Sequence, residues 1–140
     1  METSCEEDAR ALLFAAETWA EIVAAADQHN DPGHFTTFAA YEYSPPLPDS
    51  GKIHRNVIFR GSHVPGRAVS AYDALTELDL WDQLNAGCSA PCDYLTIPHN
   101  PNKTRGLAFA NQTIDGDTYT EADWRMRDQV EPLVEMYQIK

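Results

Sequence analysis

The stretch Phe35-Thr36-Thr37-Phe38-Ala39-Ala40-Tyr41-Glu42-Tyr43, answered after a proline-broken interval by Asn56-Val57-Ile58-Phe59, decides the fold. Both runs are rich in aromatic, threonine or β-branched residues, which fit a pleated, half-buried surface. The first run, residues 35–43, follows the turn formers Asn30-Asp31-Pro32-Gly33. The interval Tyr43-Ser44-Pro45-Pro46-Leu47-Pro48-Asp49-Ser50-Gly51 carries three prolines and a glycine, which rules out regular structure there. Two strands joined by so short a connection predict an antiparallel pair.

Upstream, residues 8–27 place Leu12, Ala16, Trp19, Ala20 and Val23 on one face at helical spacing, and the alanine content favours the same helix. Downstream, residues 61–70 read as a loop. Ser70 or Asp73 then caps a helix that runs to about Ala86, with Leu75, Leu78, Trp81 and Leu84 turned inward and Gly87 closing it. Tyr94-Leu95-Thr96-Ile97 is a short apolar strand stopped by Pro98, and a helix followed by a buried strand is the alternation of an α/β layer. Residues 106–117 are irregular. Thr120 with Asp123 resembles a capping box for a helix that runs to about Val130, where Pro132 discourages continuation. Residues 133–139 read as one more strand, and a domain that ends on an unclosed strand has the look of a truncated one.

The chain has 140 residues, 43% of them hydrophobic, so it is one domain or a piece of a larger one with enough apolar material for a core. Ten Lys and Arg against twenty-two Asp and Glu give a formal net charge of −12. Such a surface repels phosphate backbones and anionic lipid. Arg55, Arg60, Arg67, Lys103 and Arg105 are scattered rather than clustered, so nucleic acid is not an expected partner. No apolar run approaches the roughly 20 residues that span a bilayer. The acidic start has no basic segment of the secretory type. The three cysteines, Cys5, Cys88 and Cys92, form no paired CxxC motif. Reduced, structurally incidental thiols are expected, with a Cys88–Cys92 disulfide as the alternative.

The candidate chemistry sits on Glu42, His54 and His99, three donors suited to a divalent metal. Glu42 lies near the carboxyl end of the first strand and His54 at the start of the returning one. In an antiparallel pair those ends are neighbours. His99 follows the next strand, and the carboxyl ends of strands are where α/β proteins bind ligands. All three are therefore expected on one rim. Taken singly, each histidine reads equally as a structural hydrogen-bonding residue and Glu42 as an exposed strand-end carboxylate. Asn100 and Asn102 flank Pro101 and either orient a ligand or metal-held water, or build the turn. Arg55 is a further candidate for supporting the ligands or contacting substrate. His29 and His34 belong with the turn chemistry, and His63 is a loop residue or a peripheral substrate contact. The sequence has no glycine-rich phosphate cradle, no G-x-S-x-G elbow and no dinucleotide fingerprint. Nothing supplies a base for a cysteine nucleophile.

Four ordered motifs carry a family resemblance. They are Asn30-Asp31-Pro32-Gly33-His34-Phe35-Thr36-Thr37-Phe38 leading into Tyr41-Glu42-Tyr43; His54-Arg55-Asn56-Val57-Ile58-Phe59-Arg60; Ile97-Pro98-His99-Asn100-Pro101-Asn102; and Glu131-Pro132-Leu133-Val134-Glu135-Met136-Tyr137-Gln138-Ile139-Lys140. Together they resemble the bacterial domain-of-unknown-function family 3604, which is similar to the PHP (polymerase and histidinol phosphatase) metal-dependent phosphoesterases. The resemblance implies an α/β fold, a distorted (β/α) barrel present here in part, with one to three divalent ions (Zn, Mn or Fe) at one mouth. It implies that Glu42 bridges metals and that His54 and His99 complete one shell. Ala40 stands where the PHP pattern has a glycine two residues before that glutamate. The pattern's early His-x-His pair is absent, and no Asp-x-His follows His99, where the pattern's late pair would fall. The chain then reads as one segment, residues 1–140, of a larger metallohydrolase domain, whose other parts are its partners and whose substrate is a small phosphate or other ester. The alternatives are a catalytically inactive fragment and a metal-free small-molecule binding module.

Overall fold

A computed structural model describes residues 2–47 and 51–138 of the chain, with side chains from residue 9 onward. Pro48, Asp49 and Ser50 of the proline-rich interval, and Ile139 of the expected terminal strand, lie outside the described residues. The elements run α1 (Glu2–His29), β1 (Ala40–Tyr43), β2 (Arg55–Phe59), α2 (Glu77–Gly87), β3 (Tyr94–Pro98), two single 3₁₀ turns (Pro101–Lys103 and Leu107–Phe109) and α3 (Glu121–Val130). The strands form one open sheet in the order β1-β2-β3, antiparallel throughout. The architecture is thus mixed α/β with a small open sheet, and no barrel is formed by the described residues.

The pairing registers Ala40↔Ile58, Glu42↔Asn56 and Tyr43↔Arg55, then Arg55↔Pro98, Asn56↔Ile97 and Phe59↔Tyr94, assign every side chain to a face. Tyr41, Tyr43, Arg55, Val57, Phe59 and Thr96 turn to one face, which all three helices cover. The core gathers Tyr43, Val57 and Phe59 from the sheet, Trp19 from α1, Leu80, Trp81 and Leu84 from α2, and Val130 from α3. Trp81 and Thr96 fix the layer spacing. The Trp81 indole N–H donates to Thr96 Oγ1 at 3.3 Å, and that hydroxyl donates to the Val130 carbonyl at 3.1 Å, so β3, α2 and α3 share one buried polar chain. The Tyr43 hydroxyl is satisfied at the carbonyls of Ala74 (3.0 Å) and Thr76 (3.1 Å). Ala40, Glu42, Asn56, Ile58, Leu95 and Ile97 turn to the opposite face, and none of them belongs to the buried cluster.

Several boundaries differ from the sequence reading, for identifiable reasons. The first strand begins at Ala40 rather than Phe35. Residues 35–38 are held by the end of α1 and the turn after it instead, through Thr37 Oγ1 to the Ala26 carbonyl at 2.5 Å, Thr37 N–H to Asn30 Oδ1 at 3.3 Å and Phe35 N–H to the Asp31 carbonyl at 2.8 Å; Phe35 and Phe38 remain exposed, while the Ala39 carbonyl already accepts from Phe59 N–H at 2.9 Å. Helix α2 begins one turn later than expected because Asp73 is spent on its own loop. Its Oδ2 accepts from Ser70 N–H (2.9 Å) and Ser70 Oγ (2.7 Å), while Oδ1 meets Arg67 Nη1 at 2.7 Å. Thr76 is the cap, in a reciprocal capping box with Asp79, and Leu75, just outside the helix, is exposed rather than inward. The Thr120–Asp123 capping box opens α3 as expected. Among the described side chains of α1, Trp19, Val23 and Ala26 reach the core, and Leu12, Leu13 and Phe14 are exposed. Residues 133–138 are not a strand: their one main-chain bond to the sheet is Glu135 N–H to the Pro98 carbonyl at 3.0 Å. Cys88 and Cys92 are joined by a disulfide across the α2–β3 connection, with Cα atoms 5.1 Å apart, against the expectation of free thiols at those positions. No helix among the described residues, α1 included, is long and apolar enough to cross a membrane.

Candidate metal centre

Antiparallel pairing alone brings the three candidate ligands together. Tyr43, Arg55 and Pro98 lie across from one another at one end of the sheet. Glu42 is one residue before Tyr43, His54 one before Arg55, and His99 one after Pro98. All three share that end, and strand alternation puts all three on the face away from the helices. His54 and His99 stand opposite each other, with His99 N–H bonded to the His54 carbonyl at 2.9 Å.

The side chains meet as the backbone requires. His54 Nδ1 is 2.8 Å from Glu42 Oε1, His99 Nε2 is 4.0 Å from Glu42 Oε2, and the two imidazole centroids are 6.1 Å apart. One ligand atom from each residue lies within 4.8 Å of the others. Two ligands about 2.1 Å from one ion at the tetrahedral angle sit about 3.4 Å apart. The site is thus within roughly 1.4 Å of a bound geometry, a distance side-chain torsions cover. Exposure rises across the cluster from His99 (11%) through His54 (20%) to Glu42 (46%), so an ion held there would keep a face open to solvent. The Ser44 hydroxyl donates to Glu42 Oε1 at 2.6 Å. That bond first, and then the neighbouring imidazoles, hold the Glu42 carboxyl below its ordinary range against partial burial. A carboxylate kept ionised beside two imidazoles is a suitable donor set for a divalent cation.

The other candidates divide. Asn100 and Asn102 build the turn. Asn100 Oδ1 accepts the Asn102 N–H at 3.1 Å, its Nδ2 donates to the Met136 carbonyl at 2.8 Å, and its N–H donates to Glu135 Oε2 at 2.7 Å. This anchors the segment after His99 to residues 135 and 136. Arg55 points to the helix side, where its side chain is only 5% exposed; its Nε is 3.5 Å from Glu131 Oε1 and its guanidinium lies 5.4 Å from the Trp81 ring centroid. It stands behind the rim rather than on it. His34 pairs with Asp31 at 3.3 Å in the exposed turn, and His29, His34 and His63 are all outside the cluster. The sequence reading missed Asn56 and Ser44. Asn56 sits directly across from Glu42, and its Oδ1 is 3.4 Å from His99 Nε2. The signal was available: residues two apart on a strand share a face, so His54 implies Asn56 and Glu42 implies Ser44.

Behind the rim lies a buried charge cluster. The Glu131 side chain is 1% exposed, with Arg127 Nε 3.2 Å from Oε2. Burial pushes its carboxyl above the ordinary range, although Arg55 and Arg127 both pull it down. Glu77 is also buried and takes the Tyr119 hydroxyl on Oε1.

A mixed α/β chain with a Glu-His-His rim on an open antiparallel sheet is the class of protein that fold and site define. The chain belongs to the family described as "Protein of unknown function (DUF3604)", whose model matches residues 1–140. Searches of curated proteins and of solved structures find no match to it.

Proposed function

We propose that this chain supplies one divalent-metal site to a metal-dependent hydrolase acting on a phosphate or other small ester. The observation that carries the reading is the convergence of Glu42, His54 and His99, three residues from separate segments whose donor atoms lie within 4.8 Å. A divalent cation in such a site polarises an ester and acidifies a water. The chain's own part is to hold the ion with Glu42 and two neutral imidazoles and to keep Glu42 ionised through Ser44. It also leaves the outer side of the rim open to substrate. The charge balance supports the reading. A chain of net charge −12 repels an anionic ester unless a cation reverses the local field. In this proposal the sheet is one wall of a PHP-like distorted (β/α) barrel, and the remaining ligands of a two- or three-ion cluster come from outside this chain. Zinc, manganese and iron(II) all accept this nitrogen and oxygen donor set.

Zinc titration of the purified protein by calorimetry, beside His99→Ala, is the test. One ion per chain in the wild type and none in the variant is the expected outcome; equal uptake by both sinks the assignment. Metal-stimulated turnover of p-nitrophenyl phosphate by this chain alone would favour a self-sufficient enzyme over a contributing segment or an inactive one. A metal-free rim for a small polar ligand is the second reading, favoured by the direct Glu42–His54 contact at 2.8 Å, which satisfies both groups without an ion. Failure to take up zinc, manganese or iron(II) would favour it.

A further inference from the structure

The His99 ring faces two environments. Its Nε2 looks toward Glu42 Oε2 at 4.0 Å and Asn56 Oδ1 at 3.4 Å. Its Nδ1 is buried and makes no hydrogen bond among the described residues. His99 also lines a cavity of about 10 Å³, together with His54, Arg55, Glu77, Thr104 and Arg127, among others. The buried atoms of the same lining with neither a hydrogen bond nor an ion-pair contact include one acceptor and one donor, Glu77 Oε2 and Arg55 Nη1, since Arg55 Nε faces Glu131. Glu77 Oε1 is already taken by Tyr119. A polar cavity of ~10–15 Å³ with two to four polar partners is what a single buried water requires.

We propose that this cavity holds one structural water that accepts from His99 Nδ1–H and Arg55 Nη1–H and donates to Glu77 Oε2, making Glu77 a positioning residue for His99. The physical logic is tautomeric. A neutral imidazole has one N–H and one lone pair, and a buried N–H needs an acceptor. With water and Glu77 behind the ring, the proton resides on Nδ1. The Nε2 lone pair then faces the rim, on the side where an ion shared with Glu42 would sit. Asn56 completes the arrangement by turning its amide so that Nδ2 faces the ring, a choice that the two near-identical amide orientations leave open. Fixing ring orientation and tautomer through a carboxylate or water behind a ligating histidine is a general way of strengthening a metal site. The inference deepens the metal-site proposal and relies on His99 as a ligand. Its primary readout is independent of metal.

The test is long-range ¹H–¹⁵N NMR of the metal-free protein, which reads the His99 tautomer from its two ring nitrogens. The expected result is the Nδ1–H form, with a slowly exchanging imidazole proton that shows a cross-peak to bound water. An Nε2–H form, or no water cross-peak, overturns the proposal. Glu77→Leu should lose the fixed tautomer and weaken zinc binding ~10–100-fold. Glu77→Gln keeps a carbonyl acceptor and should retain both. If Glu77→Leu does not fold, the wild-type tautomer and Glu77→Gln still decide. Absence of zinc binding with an Nδ1–H ring would remove the metal reading and leave the water site standing. Zinc binding with an Nε2–H ring would do the reverse.

Discussion

Replacing Arg55 with methionine removes one of two guanidinium groups that neutralise Glu131 inside the protein. The side chains of Arg55 and Glu131 are 5% and 1% exposed, and Arg55 Nε and Arg127 Nε stand 3.5 and 3.2 Å from the two carboxylate oxygens. At an effective dielectric near 20, each contact carries a Coulomb attraction of about 5 kcal/mol, most of which offsets desolvation. Losing one partner of a buried pair typically costs about 3–5 kcal/mol. The guanidinium's place near the Trp81 ring, 5.4 Å from its centroid, adds about 1 kcal/mol. Protonation sets a ceiling. Burial already raises the Glu131 carboxyl with both arginines present, and removing Arg55 raises it further. A carboxyl with a raised folded-state pKa contributes stability that is fully present below its unfolded pKa and is lost as pH rises through the folded one. The variant's deficit is therefore largest near neutrality and shrinks as pH falls toward the ordinary glutamate range. Urea unfolding followed by tryptophan fluorescence should show Arg55→Met about 3 kcal/mol less stable at neutral pH and clearly less affected at mild acid. Arg55→Met with Glu131→Gln should recover much of the loss. A neutral-pH deficit under about 1 kcal/mol, or one that does not change with pH, would refute the view that this cluster is electrostatically coupled.

Three further expectations follow from the same packing. Trp81 is fully buried and ties α2 to β3, so Trp81→Ala should lower stability by about 3–5 kcal/mol in chemical denaturation; a loss below about 1.5 kcal/mol would mean that the site collapses around the gap. Asp73 is held down to about 2, chiefly by its bond to Arg67 and further by Ser70. Its contribution is thus present above the ordinary aspartate range and lost as pH falls toward about 2. Because solvent reaches Arg67, Asp73→Asn should cost only about 1 kcal/mol at neutral pH, and the difference should vanish in denaturation curves taken near the lower limit. Opening the Cys88–Cys92 bridge frees a loop with a sequence separation of 4, for which chain entropy gives about 2 kcal/mol; the double serine variant should lose about that much, and an unchanged midpoint would show that the bridge constrains little.

What the sequence disclosed about the site came from strand arithmetic. Glu42 at a strand end, His54 before the returning strand and His99 after a third needed only antiparallel order to converge, and the sheet supplies that order. The Thr120–Asp123 box and the Trp81–Leu84 face were legible because capping and helical spacing are local signals. Other features depended on partners that local patterns do not reveal. Phe35 and Phe38 look like strand residues, but Thr37 ties that segment to Ala26 of α1. Asp73 looks like a cap, but Arg67 and Ser70 claim it, leaving that role to Thr76. Residues 133–138 have the composition of a strand and one bond to the sheet. The burial of Arg55 and Glu131 is the least legible feature. A charged residue in a strand gives no sign of facing the core until its partner, seventy-six positions away (131 − 55), is in place.

Glu42, His54 and His99 are proposed to grip one cation jointly. Anomalous difference density at the zinc edge, from crystals of the protein grown with zinc, tests it most directly. The expected result is a single strong peak about 2.0–2.2 Å from a Glu42 carboxylate oxygen and from one nitrogen of each imidazole. A peak at other residues, or one that touches only one of the three, would contradict it.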